Sequence, residues 1–272
     1  MTTMNSRDSA LSRVAGWLIC PVCQEGLSMQ TRSLVCGRNH SFDIARQGYV
    51  NLLQRAAPPH ADSASMVAAR HRFLDAGWFA PLTDAITAAL SGAQRVLEAG
   101  TGTGHYVSSY LDSAPAAQAL GTDISPASCR TAARRSSRLG VVVADTWERL
   151  PVCDGVADAL LCVFAPRNPS EFARVLASGG RLVVVTPAPD HLIELRERLG
   201  LLSVEPEKLQ RLDQSLKGFD LDTRADVRHE LDLPEGAVAD LIGMGPNAFH
   251  GHPSPVAVQT TAAFTVSQFR KR

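Results

Sequence analysis

The chain has 272 residues, of which 45% are hydrophobic and 20% are charged, and its 27 basic side chains are matched by 27 acidic ones. Overall charge therefore gives no argument for a polyanionic partner, and the length allows an α/β domain of about 200 residues with a small appended module. No apolar run approaches the roughly 20 residues that span a bilayer, and residues 1–15 lack the apolar centre of a secretory signal. We expect a cytoplasmic protein without a membrane partner, whose six cysteines stay reduced unless they bind a metal.

The N-terminal end differs from the rest of the chain in charge. Residues 1–15 mix charges with small residues and are predicted to form a weakly ordered leader. Residues 1–72 carry eight arginines against four acids, a local excess of +4. An excess of this size is common on a solvated face, and it also suits RNA binding at this end.

Four residues of the types that bind metals lie close together in the next segment. Cys20, Cys23, Cys36 and His40 have the spacing C-x2-C-x12-C-x3-H. Zn²⁺ favours four tetrahedral thiolate or imidazole ligands, and a C-x2-C turn presents two of them to one point. The spacing predicts one structural zinc site in a small ribbon-like module over residues 16–55. Four protein ligands leave no open position for catalysis at the metal.

Residues 56–92 are predicted to form a helical linker. Pro58 and Pro59 exclude a helix at its start, but apolar residues recur at helical spacing from Met66 to Leu90. Gly77 and Pro81 interrupt this pattern, which indicates two helices rather than one.

Strand and helix patterns alternate over residues 93–272. The predicted strands are Arg95–Ala99, Ala119–Asp123, Val141–Ala144, Ala157–Phe164, Arg181–Thr186, Val227–Leu233 and Gln259–Phe269. The predicted helices are His105–Ser113, Pro126–Arg138, Ser170–Ala177, Asp190–Leu199 and Glu235–Ile242. This alternation predicts an α/β fold with a doubly wound, mostly parallel sheet of seven strands, in which the last two strands form an antiparallel edge pair.

A glycine-rich turn follows the first of these strands. Glu98, Gly100, Gly102 and Gly104 have the pattern E-x-G-x-G-x-G, with Thr103 before the last glycine. Glycines permit a tight turn and let a ligand approach the backbone. Dinucleotide enzymes instead use G-x-G-x-x-G at a helix that faces a pyrophosphate. A carboxylate before the turn would repel a phosphate, whereas it suits a cation such as the amino group of S-adenosyl-L-methionine.

Two further acids end the next two strands. Asp123 is placed to accept both ribose hydroxyls of a nucleoside, and Asp145 is placed for an adenine amino group. The carboxyl ends of parallel strands meet at one crevice, so these acids and Glu98 should converge on one ligand. The three together favour S-adenosylmethionine, while a purely structural turn and an NAD site stay open as alternatives.

The fourth and fifth strands should carry the substrate side of the crevice. Phe164 is placed to stack on a planar base, and Asn168 is placed to orient it. His191 follows the fifth strand; covering the cofactor, contacting RNA and capping a helix are all open to it. We identify no general base.

Several longer segments match one family residue by residue. They are Cys20-Pro-Val-Cys23, Cys36 with residues 40–53 (His-Ser-Phe-Asp-Ile-Ala-Arg-Gln-Gly-Tyr-Val-Asn-Leu-Leu), and residues 66–77, 163–169, 183–187, 190–192 and 244–250. Together they resemble the RlmA family of 23S rRNA guanine-N1 methyltransferases, which are class I (Rossmann-like) methyltransferases, and within it the Gram-positive, TlrB-type branch. Relatives often have Asp where Glu98 stands, and His-Tyr in place of Trp78-Phe79.

The resemblance implies methyl transfer from S-adenosyl-L-methionine to N1 of a guanine in a hairpin loop of 23S rRNA that lines the peptide exit tunnel. It implies zinc on the four ligands named above, a homodimer whose cleft holds the RNA hairpin, and a role in macrolide or tylosin resistance. It also assigns cofactor contacts, to Phe79, Gly102, Thr103, Asp123 and His191.

Two other functions stay open at this point. One is a small-molecule methyltransferase whose zinc module is only a lid, and the other is a non-catalytic RNA-binding protein. An RNA loop makes chemical sense as substrate, because N1 of guanine is hidden in a paired helix and a loop base is extruded most easily.

Overall fold

The structure is a computed structural model that describes residues 6–200, 208–245, 248 and 254–272. Pro246, Asn247, Phe249 and His250, which belong to the family-like segment 244–250, lie outside these residues. Within the described part of the chain, no helix is both long enough and apolar enough to cross a bilayer.

The helices and strands are numbered in chain order. The α-helices are α1 (Ser6–Val14), α2 (Ala64–Asp75), α3 (Ala80–Ala89), α4 (His105–Ser113), α5 (Pro126–Ala132), α6 (Pro169–Val175), α7 (Ile193–Leu199), α8 (Lys208–Ser215) and α9 (Glu235–Gly243). The strands are β1 (Leu27–Gln30), β2 (Ser33–Cys36), β3 (Ser41–Asp43), β4 (Tyr49–Asn51), β5 (Arg95–Ala99), β6 (Gln118–Asp123), β7 (Leu139–Val143), β8 (Ala157–Val163), β9 (Leu176–Pro187), β10 (Phe219–Leu233) and β11 (Val258–Lys271).

A large sheet forms the centre of the molecule, with strand order β10-β11-β9-β8-β5-β6-β7-β4. Strands β4 to β9 pair with one another in parallel, while β11 pairs antiparallel with both β9 and β10. The predicted doubly wound, mostly parallel fold with a late antiparallel pair is therefore confirmed. The strand order reverses at β5, where chain crossings to either side leave a crevice at the carboxyl ends of the strands.

The sheet has eight strands among the described residues instead of the seven predicted. The additional strand is β4, which pairs with β7 through Tyr49 opposite Val141 and Asn51 opposite Val143. A strand of three residues is too short to give a periodic signal, and it lies within the segment predicted as the zinc module.

The first forty described residues pack against this sheet. Strands β1, β2 and β3 form a small antiparallel sheet, and Leu27 and Leu34 from it share one hydrophobic cluster with Leu97 and Val142 of the large sheet. The zinc-ligand segment therefore contributes to the core that supports the crevice.

The expectation of a weakly ordered leader is wrong for residues 6–14, which form α1. Leu11 and Val14 lie three residues apart on one face of this helix and are fully buried against β7. A Cβ atom added to Gly140 of β7 would lie 2.2 Å from Cγ2 of Val14, so the absence of a side chain there lets the helix approach.

The predicted pair of helices in residues 56–92 is present as α2 and α3. Ser63 caps α2, accepting a hydrogen bond from the Met66 amide at 3.3 Å. Phe73, Leu82 and Ile86 are buried in the cluster that covers one face of the sheet. These helices are thus part of the layer that covers the crevice.

Candidate active site and zinc centre

A cleft of about 650 Å³ opens at the carboxyl ends of the parallel strands. Nine residues predicted from the sequence line it, namely Phe79, Glu98, Gly100, Gly102, Thr103, Asp123, Asp145, Phe164 and His191. Two predicted residues, Gly104 and Asn168, do not.

The glycine turn between β5 and α4 forms the floor of the cleft. The amides of Gly100 and Thr101 donate to the carbonyl of Thr122 at 2.8 and 2.9 Å, which ties the turn to β6. Gly100 has φ +73°, and a Cβ added to it would lie 2.3 Å from Cβ of Ala165. Gly104 begins α4 with φ +73° and lies against Ala132 of α5, so its role is close packing of two helices.

Glu98 lies beneath this turn and is only 1% exposed. Its carboxylate accepts a hydrogen bond from the Thr101 hydroxyl. Burial, together with the nearby Asp123, raises the pKa of Glu98 to about 8. Its carboxyl is therefore protonated at neutral pH, and a cation bound in the cleft would favour the charged form.

Asp123 ends β6 with its two carboxylate oxygens held in place. One accepts from the Gly102 amide at 2.8 Å and the other from the Ser125 amide at 2.8 Å. Burial raises the pKa of Asp123 to about 6, although these two amide donors act to lower it. The remaining lone pairs of a carboxylate held in this way can accept a pair of hydroxyl groups.

Asp145, just beyond β7, is buried and accepts from the Trp147 amide at 2.9 Å. Nη2 of Arg55 lies 2.5 Å from its other oxygen. The sequence pattern did not identify Arg55, because nothing in the residues around it shows which acid it reaches.

His191 lies at the end of the cleft above β9. Its Nδ1 accepts a hydrogen bond from the Ala263 amide at 3.2 Å, so the proton of the neutral ring is on Nε2. Burial lowers the pKa of His191 to about 4. Its ring centroid lies 4.6 Å from that of Phe264 and 6.1 Å from that of Phe79. Helix capping is excluded, since α7 begins after Leu192 without a side-chain cap.

Two aromatic side chains stand at the mouth of the cleft. Phe164 follows β8 with φ +52° and is 45% exposed, and Trp147 is 66% exposed. Asn168 does not reach the cleft, contrary to its predicted role in orienting a base. Its side chain caps α6 by accepting from the Glu171 amide at 3.4 Å, and it donates to the Trp147 carbonyl at 3.3 Å.

Two arginines that the sequence reasoning missed also line the cleft. Arg70 of α2 pairs with Asp62 and donates to the Met244 carbonyl at 2.6 Å, and its guanidinium lies beside Gly102 of the glycine turn. Arg196 of α7 lies at the opposite end of the cleft. Neither belongs to a local motif that would mark it in the sequence.

The four predicted metal ligands converge on one point in the N-terminal module. Their ligand atoms all lie within 4.8 Å of one another. The Cys20–His40 and Cys36–His40 sulfur–nitrogen distances are 3.6 and 3.4 Å, and the sulfurs of Cys23 and Cys36 are 3.5 Å apart. A tetrahedral zinc ion with bonds of about 2.0–2.3 Å separates its ligands by about 3.5–3.8 Å. The four residues therefore fit one zinc ion closely.

Two similar turns produce this convergence. The Gln24 amide donates to the Cys20 carbonyl at 2.8 Å, and the Asn39 amide donates to the Cys36 carbonyl at 2.9 Å. Both Gln24 and Asn39 have φ +63°, the left-handed conformation that closes a tight turn. Each turn thus directs its ligands to the same point.

Comparison with known proteins gives the family. The model for the N-terminal part of RlmA, a zinc ribbon, matches residues 18–55, and a methyltransferase-domain model matches residues 96–184. The 23S rRNA (guanine(748)-N(1))-methyltransferase of Streptomyces fradiae is 43% identical over 251 residues, covering 90% of each chain. A protein of Micromonospora griseorubida named for guanine-N1 methylation of 23S rRNA is 43% identical over 268 residues, covering 90% of this chain and 91% of its own. The chain belongs to the RlmA family.

Membership of the RlmA family indicates what the cleft and the zinc-ligand cluster bind. The chain is an S-adenosylmethionine-dependent methyltransferase, and its zinc ribbon holds one structural metal ion. The alternatives of an NAD enzyme and a non-catalytic protein are thereby removed.

Solved structures agree on the fold. YjhP of E. coli superposes with a TM-score of 0.51 at 15% identity, over 77% of this chain and 99% of its own. An enzyme that converts a disulfide into a thioacetal during echinomycin biosynthesis gives 0.52 at 13% identity, over 70% and 81%. At these identities the likeness concerns the fold alone.

Proposed function

We propose that this chain transfers a methyl group from S-adenosylmethionine to N1 of a guanine in a hairpin loop of 23S rRNA. One observation carries the proposal: the cleft is divided into an acidic half at β5, β6 and β7 and an aromatic mouth that includes Phe164 and Trp147. The first half suits a cationic nucleoside and the second suits a planar base. The relative in Streptomyces fradiae is named for guanine-N1 methylation of 23S rRNA.

In this proposal the acidic half holds the cofactor. Asp123 accepts the ribose hydroxyls, Asp145 accepts from the adenine amino group, and Glu98 faces the ammonium group across the glycine turn. Arg70 lies beside Gly102 and is the cation available to the methionine carboxylate. When bound, S-adenosylmethionine supplies a methyl group that its sulfonium makes electrophilic.

The aromatic mouth receives the substrate base. Guanine N1 lies on the Watson–Crick edge, so the base must leave its stack before it can react. Phe164 and Trp147 offer π-faces that replace the lost stacking, which is worth about 1–3 kcal/mol per base. The protein's remaining task is alignment of nitrogen, carbon and sulfur, and such positioning can supply roughly 7–11 kcal/mol of the barrier.

The zinc ribbon would bind the hairpin stem beside this cleft. Arg32, Arg38 and Arg46 are exposed on it, and phosphate contacts from such residues position RNA without reading its sequence. We further propose that two copies of the chain form a homodimer whose shared cleft holds the hairpin, and that the modification protects the ribosome against a macrolide of the tylosin type.

Methyl transfer to defined RNAs tests the function. The zinc-loaded full chain is incubated with radiolabelled S-adenosylmethionine and a transcribed 23S rRNA hairpin, and the product is mapped by primer extension, since N1-methylguanine stops the polymerase. We expect one stop, lost when that guanine is changed to adenine, and lost at the same cofactor concentration in Asp123→Ala, whose cofactor dissociation constant should rise at least about tenfold.

A small-molecule methyltransferase with a zinc-ribbon lid gives the opposite result. Label would then enter a metabolite extract while naked rRNA and the hairpin stay unlabelled, and the proposal would be rejected. Sedimentation of the chain with and without the hairpin tests the dimer separately.

A further inference from the structure

Arg196 is half-buried, and its guanidinium is only partly bonded. Its Nη2 donates to the Pro189 carbonyl at 2.7 Å. Its Nε and Nη1 are buried and have no hydrogen-bond partner, and no carboxylate of the described residues forms an ion pair with it. Buried N–H donors without a partner are costly, so a hydrogen-bond acceptor that reaches one of these two nitrogens is favoured.

The position of Arg196 in the cleft indicates which ligand it meets. The strand order β7-β6-β5-β8-β9 places Asp145, Asp123 and Glu98 along one half. Phe164 follows at the end of β8, and Arg196 comes after β9. The cationic end of the cleft is therefore farthest from the acids that hold the adenosine, and it lies beyond Phe164, one of the two aromatic side chains at the mouth.

The proposed substrate needs an anion-stabilising group at this point. N1 of guanine carries a proton at neutral pH and becomes nucleophilic as that proton leaves. The negative charge left on the ring is shared between N1 and the carbonyl oxygen O6. Fixed donors aimed at the atom where charge develops commonly lower a barrier by several kcal/mol in a water-excluded site, on the order of 10²–10³ in rate per donor.

We propose that Arg196 donates a hydrogen bond from Nη1 to O6 of the target guanine and stabilises its N1-deprotonated form; the inference rests on the proposed function. The N1 proton passes to water, and the N1 lone pair forms the bond to the methyl carbon. The carbon–sulfur bond breaks with its electron pair going to sulfur. The positive charge of the sulfonium is thereby cancelled as the charge on the guanine ring disappears.

None of the groups near Arg196 supplies the missing partner of its guanidinium. His191 accepts from a backbone amide and remains neutral, since burial lowers its pKa to about 4. Asp190 pairs with Arg228, and Glu194 accepts from the Thr260 hydroxyl at 2.8 Å. Glu98 lies across the cleft beneath the glycine turn. Among the described residues, none of these acids neutralises Arg196.

Single-turnover methylation across pH tests the role. Arg196→Gln, Arg196→Lys and wild type are compared with saturating S-adenosylmethionine and the hairpin RNA, from pH 6 to pH 10. Arg198→Gln is the matched control, because it removes the same charge from the same helix; among the described residues, Arg198 hydrogen-bonds only to the Ala257 carbonyl, at 3.2 Å. Thermal melting and cofactor affinity report whether each variant is folded.

We expect Arg196→Gln to lower the methylation rate constant at pH 7 by about 100-fold or more, with little change in the dissociation constants of cofactor and RNA. Its rate should keep rising with pH toward the ionisation of free guanosine, whereas the wild-type rate levels off at lower pH. Arg196→Lys should recover part of the rate, and Arg198→Gln should behave as wild type.

Three outcomes would overturn the assignment. The first is an unchanged rate and pH profile in Arg196→Gln. The second is a loss confined to cofactor affinity, which would make Arg196 a partner of the methionine carboxylate. The third is a loss confined to RNA affinity, which would make it a phosphate contact. Failure of the proposed function is distinct, because the wild type itself would then leave the hairpin unmethylated.

Discussion

Arg55 and Asp145 join the zinc-ribbon segment to the cofactor half of the cleft. Nη2 of Arg55 lies 2.5 Å from the Asp145 carboxylate, and its Nε lies 3.2 Å from Glu148. Arg55 is the last residue of the segment that the RlmA ribbon model matches, while Asp145 follows β7. The acid proposed to bind adenine is therefore oriented by a residue from the zinc-ribbon side.

We expect Arg55→Ala to weaken S-adenosylmethionine binding about fivefold. Arg55 is nearly half exposed, so the pair contributes on the order of 1 kcal/mol, and its loss lets the Asp145 carboxylate turn toward solvent. Calorimetry on the full chain measures the change, and Arg270→Ala, which breaks an exposed pair with Asp222, should leave the dissociation constant unaltered. An Arg55→Ala variant that binds as tightly as wild type would disprove the coupling.

Glu98 should release a proton when the cofactor binds. In the free protein its pKa of about 8 keeps the carboxyl protonated at pH 7, and a neighbouring ammonium group favours ionisation. Calorimetric titrations at pH 7 in phosphate and in Tris should differ by the ionisation enthalpy of about one proton. Glu98→Gln should bind with the same enthalpy in both buffers; identical enthalpies for the wild type would contradict the prediction.

The same group should make the free protein less stable in alkali. The folded-state pKa lies above the ordinary value of Glu, so the unfolded chain holds fewer protons between about pH 4.5 and pH 8. The free energy of unfolding should therefore fall as pH rises through this window. Chemical denaturation at pH 5 and pH 8.5 measures this, with a smaller difference expected for Glu98→Gln.

Cys23→Ser should destabilise the whole molecule and not only RNA binding. The ribbon shares its hydrophobic cluster with the large sheet, so loss of a metal worth on the order of 10 kcal/mol also loosens the cleft. We expect a fall in melting temperature of more than about 10 °C, with weaker binding of both cofactor and RNA.

Cys153→Ser is the control for the zinc prediction. Cys153 lies outside the metal cluster, and its thiol contacts only the Gly16 carbonyl at 3.7 Å. Elemental analysis should find one zinc per chain in wild type and Cys153→Ser, and none in Cys23→Ser. Cofactor affinity that survives zinc loss unchanged would show the two parts to be independent.

Trp147→Ala should impair the RNA reaction selectively. Loss of a stacking surface worth about 1–3 kcal/mol should lower methylation of the hairpin at limiting RNA by about tenfold or more. Trp147→Phe should retain most of the rate, because a phenyl ring still stacks. Cofactor affinity should not change in either variant; an unaffected Trp147→Ala would remove this side chain from the substrate path.

Much of the fold could be predicted because its signals are local. The limits of β5 and α4 agree with the residues predicted, and the three acids lie at the ends of β5, β6 and β7 as the parallel sheet requires. The four zinc ligands are close in sequence, and their spacing alone indicates the metal.

The predictions that failed concern residues whose positions are set by contacts between distant segments of the chain. The predicted helix 126–138 ends at Ala132, beyond which the Ser136 hydroxyl accepts from the Arg138 amide and so competes with helical bonding. Asn168 was predicted to line the cleft, but its side chain instead caps the N-terminus of α6. Arg55, Arg70 and Arg196 reach the cleft only through the tertiary arrangement.

Strand β4 covers the edge of β7, and this pairing constrains the order in which the chain folds. During synthesis the N-terminal segment leaves the ribosome first, yet β4 has no strand of the large sheet beside it until β7 has been made. Closing so long a loop is slow, whereas the short loops between the zinc ligands close early. We therefore expect the zinc ligands to come together before β4 joins the large sheet.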